Sequence, residues 1–372
     1  MLDKWFHQTR IWLLTVCVVG SLTSVDVASA QRSQLKKVVD DVVKQELKQQ
    51  NIAGAAIGMI VNGKVIYTQG YGMADIVSGK PYTVDTVINW ASNSKPVVAV
   101  LAMQLVQDNK LDLDATIDTY LPDIPQHLRK VTTRHLLCHQ SGIPHYSNGK
   151  IVPTKTNNTD DFDPQNAIRR FINSPLIFEP GQKNDYSSYA FVLLTAVVQA
   201  AGNEPIAKQL SKRITTPLSM NSFQLDVAFD NQPNWSKAYR WREGQFVEVS
   251  DYANYWKHGA GGYKSNIKDF AAFANSLMNT KLMNLPTSIQ MMTPQKTKNG
   301  KVTNRGLGVI VTGTGKSLKI SHGGTQSETK TRMAIYPNDQ HGIVFMCNCS
   351  HADPGKITTA VYSALKKNRI KY

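Results

Sequence analysis

The β-prone runs of this chain lie near its two ends and the helix-like runs lie between them, which constrains the fold more than any other feature. Residues 55–61 and 64–70 are apolar and strand-forming, and Asn62-Gly63 joins them as a two-residue hairpin turn would. Strand character returns only late, at 307–312, 318–321, 331–335 and 342–347, ahead of a closing helix from 357 to about 367. Before the hairpin, Leu35, Val38, Val39, Val42, Val43 and Leu47 recur at three- and four-residue steps, the stripe of an amphipathic helix. Between the ends, 96–105, 167–172, 189–201 and 267–278 read as helices linked by Pro- and Gly-containing loops. The expectation is an α+β fold in which both chain ends supply one antiparallel sheet, flanked by helices and enclosing a large helical insertion. There is no internal repeat, and the polar stretch 148–163 reads as the most mobile loop.

Lys4 and Arg10, the apolar run from Ile11 to Val19, and Ala28-Ser29-Ala30 ahead of Gln31 form the pattern of a secretory signal peptide over 1–30. The apolar run is shorter than the roughly 20 residues of a membrane-spanning helix, so no stable span is expected once the signal is removed. That leaves 31–372 as a single catalytic-sized domain in the periplasm or secreted medium. The net charge of +15 suits an anionic cell-envelope surface. Lys and Arg are scattered, with no basic block interleaved with aromatics, so nucleic acid is not an expected partner. Beyond the signal only Cys138, Cys347 and Cys349 remain, an odd number that excludes a disulfide scaffold. Cys347, Cys349 and His351 could face one side of a strand and suggest zinc, but no partner pair has the spacing of a closed tetrahedral site. Packed thiols are the simpler reading, and neither metal nor cofactor is expected.

A serine hydroxyl needs a base within hydrogen-bond reach, and a lysine three residues further along a helix meets that need. Ser-x-x-Lys occurs here at Ser33, Ser92, Ser147, Ser265, Ser327 and Ser363, so the pattern alone selects nothing. Context selects Ser92. It precedes an apolar helix, Pro96 suits that helix's first turn, and a helix N-terminus presents free N–H groups to an oxyanion. Ser94, adjacent to Lys95, should point elsewhere.

Ser92-Asn93-Ser94-Lys95, the segment from Arg134 to Pro144, Glu179-Pro180-Gly181 to Tyr186-Ser187-Ser188, Ala260-Gly261-Gly262-Tyr263 and His322-Gly323-Gly324 occur in the order and rough spacing of a known family. Over essentially all of 31–372 the chain resembles the class C β-lactamase and penicillin-binding-protein-like serine hydrolases, its flavour closest to mitochondrial serine β-lactamase-like proteins and their bacterial relatives. The resemblance implies a β-lactamase/transpeptidase-like fold in which Ser92 attacks a carbonyl, Lys95 takes its proton, and Tyr186 exchanges a proton with the leaving group. A cation beside Tyr186 would lower its pKa from about 10 and let phenol and amine share the base role. His322 stands where penicillin-recognising relatives usually carry Lys. Gly324 would permit close backbone approach, the N–H groups of Ser92 and Thr325 would form the oxyanion hole, and Ser188 would face substrate.

Two departures bear on substrate. Tyr186-Ser187-Ser188 replaces Tyr-x-Asn and lacks the amide that would hold an acylamide, and Glu328 adds a negative charge where many relatives carry Gly. Both disfavour efficient β-lactam turnover. The expected function is an exported serine hydrolase acting through an acyl-enzyme on small-molecule esters or peptide amides. The alternatives are a D-alanyl-type carboxypeptidase or weak β-lactamase acting on cell-wall material, and a catalytically inactive binding protein of the same fold. His135 and His139, four apart, could share a helix face as zinc ligands do, but no His-Glu-x-x-His accompanies them and a structural role is expected. Cys138 beside His139 lacks the geometry of a thiol nucleophile and its base.

Overall fold

Asn62 (φ 49°) and Gly63 (φ 72°) both take positive φ, as a type I′ turn requires, and they join β1 (Gly54–Val61) to β2 (Lys64–Asp75) in antiparallel register. The computed structural model describes residues 33–146, 159–227, 234–249, 254–327 and 329–368. The expected signal segment, most of the 148–163 loop and Glu328 lie outside these described residues. In chain order the remaining strands are β3 (Lys80–Pro81), β4 (Ile88–Asn89), β5 (Gln224–Leu225), β6 (Ala238–Arg242), β7 (Gln245–Val249), β8 (Tyr263–Ser265), β9 (Ile310–Thr312), β10 (Lys319–Thr325), β11 (Lys330–Tyr336) and β12 (His341–Cys347). The helices are α1 (33–49), α2 (Ser94–Gln107), α3 (Thr133–Leu137), α4 (Pro164–Ala167), α5 (Ser188–Gly202), α6 (Ile206–Leu210), α7 (Thr216–Leu218), α8 (Ile267–Ser276), α9 (Leu285–Met292) and α10 (Pro354–Lys367).

The two chain ends do share one sheet, of order β3-β2-β1-β12-β11-β10-β9 and antiparallel throughout. β1 pairs with β12 from Ala55 opposite Cys347 to Val61 opposite His341. Every residue of β1 is buried, so this central strand reads as a continuous apolar run rather than an alternating one. α8 packs on β1 and β12 through its apolar face, and Gly58 leaves room for it, since a Cβ there would meet Ala271 at 3.0 Å.

The helical insertion centres on α2 and α5. Ser187 caps α5 by accepting from the Ala190 N–H (3.1 Å), Asn203 closes it in the left-handed conformation, and residues 188–198 are all buried. The insertion also holds two small sheets that the sequence reading missed: β4-β8-β5, whose two- and three-residue strands carry no period, and the hairpin β6-β7. The expected helix 167–172 is instead α4, opened by an Asp163 cap with Pro164 at its first position, followed by a 3-10 turn at Ile168–Arg170. The strand expected at 307–312 shrinks to β9, because Gly308 takes φ +83° where it lies against Ala99.

Residues Gln50–Thr358 form one compact unit, and α1 with the part of α10 beyond Thr358 belongs to a second. α1 buries Leu35, Val39, Val43 and Leu47, with Val38 and Val42 half-buried beside them. No single helix among the described residues is long and apolar enough to cross a membrane.

Candidate active site

Ser92 lies in a 3-10 turn, Ala91–Asn93, that runs directly into α2, so the three-residue spacing places Ser92 and Lys95 on one face. The turn is strained and braced. Ala91 takes φ 50°, unusual for a residue with a Cβ, and the Asn89 side-chain carbonyl accepts its N–H at 2.5 Å. The Asn89 amide in turn donates to Asp226 (2.5 Å) and to the Gly261 carbonyl (3.1 Å), and Asp226 forms a buried ion pair with Lys264 (3.1 Å). With the Ala91 N–H occupied, the Ser92 N–H is the donor of this turn that has no acceptor among the described residues. Ser94 is turned away, its hydroxyl accepting from the Tyr263 N–H. Context separates Ser92 from the rival Ser265, whose hydroxyl accepts from the buried Trp90 indole while Lys268 pairs with Asp85.

Lys95 is fully buried, and its Nζ reaches Ser92 Oγ at 3.1 Å, Ser188 Oγ at 3.0 Å and the Ala260 carbonyl at 2.6 Å. None of the three is a carboxylate. Burial, and secondarily the charge of Arg305, hold its amine well below the usual lysine range. A neutral amine has two N–H groups and one lone pair. The carbonyl can only accept, whereas each hydroxyl can also donate, so once the amine has given up a proton a hydroxyl can donate into its lone pair. That is the arrangement in which Lys95 can take the Ser92 proton.

The Ser92 and Ser188 hydroxyls act on the Tyr186 phenol to favour its ionised form, and Lys95 Nζ lies 4.9 Å from its ring centroid. The expected lowering of its pKa is not found. Burial raises it, and the hydrogen bonds and the Arg305 charge offset this only in part. Tyr186 is therefore a protonated phenol beside an amine whose proton burial loosens, and the base role falls to Lys95. Its turn is fixed by His139, which stacks on it (4.4 Å) and accepts the Ser187 N–H (3.2 Å). His139 itself takes φ 58° beyond the end of α3, so it shares no helix face with His135, which caps α3 through Thr132.

Ser188, expected to face substrate, sits against the base. It is fully buried, its hydroxyl is engaged with Lys95 and its N–H donates to His145 Nδ1 (3.2 Å). His322 is buried too, and burial, then the charge of Lys95, push it down to about 3, so the imidazole is neutral where relatives hold a cation. Its Nδ1 lies 2.8 Å from the Gly323 carbonyl. β9 pairs with β10 only as far as Ser321, leaving the edge from His322 to Thr325 open. Gly324 fills the approach to the nucleophile turn: a Cβ would come within 2.4 Å of the Trp90 carbonyl and 3.1 Å of the Ala91 Cβ. The Asn93 amide, with its oxygen toward the Gly324 N–H (3.3 Å) and its nitrogen toward the His322 carbonyl (3.2 Å), ties turn to strand. Thr325 ends the strand, exposed, opposite Lys330.

Asn89, His139, His145 and Arg305 went unread in the sequence as parts of this centre. His139 alone carried a signal, in the segment from Arg134 to Pro144. The three cysteines among the described residues are free and buried. Burial pushes Cys138 and Cys347 up to about 12, and Cys349 Sγ accepts the Ala53 N–H at 3.3 Å. Among the described residues no cluster of His, Cys, Asp and Glu could hold a metal.

An antiparallel sheet from both chain ends, a helical insertion, and a Ser-x-x-Lys turn between them define the β-lactamase/penicillin-binding-protein-like fold. The octameric penicillin-binding protein homologue from Pyrococcus abyssi shares it at TM-score 0.74 and 21% identity, over 89% of this chain and 77% of that one. So does the D-amino acid amidase from Ochrobactrum anthropi SV3, at TM-score 0.74 and 20% identity, over 90% and 99%. Residues 39–366 match the family described as Beta-lactamase, and the chain belongs to that family. Esterase EstB of Burkholderia gladioli is 32% identical over 204 residues, 52% of each chain. The mitochondrial serine beta-lactamase-like protein LACTB of Homo sapiens is 25% identical over 346 residues, 74% of this chain and 60% of that protein. The matches thus span between 52% and 60% of the length of these two relatives.

Proposed function

We propose that this protein is an exported serine hydrolase that forms a Ser92 acyl-enzyme on ester or amide substrates. The observation that carries the reading is Lys95: a fully buried amine with no carboxylate, its pKa depressed by burial, 3.1 Å from Ser92 Oγ. Ser92 Oγ attacks the substrate carbonyl carbon as its proton passes to Lys95. The oxyanion is met by the Ser92 N–H and, following the family pattern, the Thr325 N–H. The Tyr186 phenol gives its proton to the leaving group and is reprotonated from Lys95. Water then attacks the acyl ester, loses a proton to the same pair and releases the acid. Esters fit better than β-lactams, since no Asn amide follows Tyr186 at position 188 and His322 is neutral. Relatives named as an esterase and a D-amino acid amidase support the ester and amide classes. The charged start, apolar run and Ala-Ser-Ala of residues 1–30 support export to a periplasmic or extracellular site, where the net charge of +15 suits an anionic envelope.

Intact mass after exposure to a fluorophosphonate, and separately to a fluorescent penicillin, tests the reading. Phosphonate labelling that Ser92→Ala abolishes is the expected result. Penicillin labelling as well would move the substrate class to cell-wall material, and absence of both adducts would sink the enzyme reading.

A further inference from the structure

An oxyanion met by Ser92 and Thr325 depends on two N–H groups carried by different elements, the turn before α2 and the end of β10. Their spacing has to be held closely, since a displacement of about 1 Å costs about 10²-fold in rate. The Asn93 amide ties turn to strand only as far as Gly324, and Thr325 pairs with Lys330 on one side alone. The Gln326 side chain continues that tie. Its Nε2 donates to Asn89 Oδ1 (3.0 Å) and to the Gly261 carbonyl (2.7 Å), and its Oε1 accepts from Lys257 Nζ (2.7 Å). The Gly261 carbonyl can only accept, which fixes the orientation of the amide. These contacts join the elements that carry the catalytic groups. Asn89 Oδ1 also accepts the Ala91 N–H and so braces the Ser92 turn, while Gly261 follows Ala260, whose carbonyl accepts from Lys95. The Thr329 hydroxyl donates to the Asn89 carbonyl (3.0 Å), and the Gln326 N–H donates to the Thr329 carbonyl (3.0 Å), so both sides of the β10–β11 connection are fastened to one residue of the turn.

We propose that Gln326 is a positioning residue of the Ser92 centre: through Asn89 and Gly261 its amide holds the Thr325 N–H in register with the Ser92 N–H. The proposal rests on the acyl-transfer reading for its effect on rate, but not for its effect on the backbone.

Gln326→Glu and Gln326→Met, made in the full protein, test it. Glu keeps an acceptor for Lys257 and sets lone pairs against Asn89 Oδ1 and the Gly261 carbonyl, whereas Met keeps the length and makes none of the three bonds. Turnover of 4-nitrophenyl acetate is compared with that of its thiono analogue, whose sulfur is larger than the oxygen and a poorer acceptor for the N–H pair. The oxo-to-thiono ratio of kcat/KM should fall about tenfold or more in both variants, whereas a loss of folded protein would lower both esters equally. Hydrogen-exchange protection of the backbone amides of Ala91 and of position 326 should also fall about tenfold. An unchanged ratio, or protection equal to wild type at both amides, would overturn the positioning role. A wild-type protein that turns over neither ester, with protection lost in the variants, would uphold the hold on the strand end and defeat the hydrolase reading.

Discussion

Lys95 meets two hydroxyls and a carbonyl where a buried lysine elsewhere would meet a carboxylate, and this one substitution of partners makes it a base. Its contrast is Lys264, equally buried, which pairs with Asp226 and serves only to brace the turn. Since protonated Lys95 cannot accept from Ser92, kcat/KM on an ester should fall as pH drops through the Lys95 pKa, well below the usual lysine range. A profile still rising steeply toward pH 10.5 would contradict this. Lys95→Ala should lose roughly 10²- to 10⁴-fold in kcat/KM while Ser92 stays in place. Ser-x-x-Lys spacing and its context pointed to Ser92 and Lys95 in the sequence, and the family resemblance to Tyr186; the fold brings the three together. The sequence could not disclose the direction of the Tyr186 shift, because burial competes with hydrogen bonding and only the fold sets the balance.

β10 and the nucleophile turn work as a pair of elements whose separation is set by one missing Cβ. At Gly324 an added methyl would lie 2.2 Å from Thr331 Oγ1 and 2.4 Å from the Trp90 carbonyl, and the latter is backbone that cannot step aside. Gly324→Ala should therefore push strand from turn, with stability lower by about 1–3 kcal/mol and kcat reduced. Gly323→Ala, whose Cβ would meet only an Arg332 nitrogen at 3.5 Å, serves as the contrast and should melt close to wild type. Equal behaviour of the two variants in melting and kinetics would remove the strand's role. The long elements were legible: the α1 stripe, the Asn62-Gly63 hairpin, α2, α5, α8 and the closing helix. β4, β5 and β8 were not, because two or three residues carry no period, and their pairing with one another exists only in three dimensions.

Among the described residues, histidines withdrawn from water are kept neutral: burial pushes the half-buried His145 and the buried His258 down to about 4 and His322 to about 3. Free in the unfolded chain, each titrates near 6.5. Between those values the unfolded state binds more protons, so stability rises with pH across the window from about 3 to 6.5 and is lost as pH falls through it. The melting midpoint should drop markedly between pH 7 and pH 4.5. His258, which meets the Asp161 carbonyl at 2.8 Å near the loop that presents Ala260 to Lys95, is the position to test. In His258→Asn the slope of midpoint against pH should be shallower whatever its starting value. An unchanged slope would show that other groups set the acid limit.

The sequence by itself determined the α+β class, the sheet built from both ends, and the order of the motifs, because periodicity, turn dipeptides and Ser-x-x-Lys spacing are local properties of the chain. Tertiary structure alone decided which proton each group holds and which charge stands unpaired. Ser188 proves to hydrogen-bond Lys95, and Arg305 carried no motif yet stands beside Tyr186. Charge state depends on burial and on neighbours distant along the chain, and neither exists until the chain has folded.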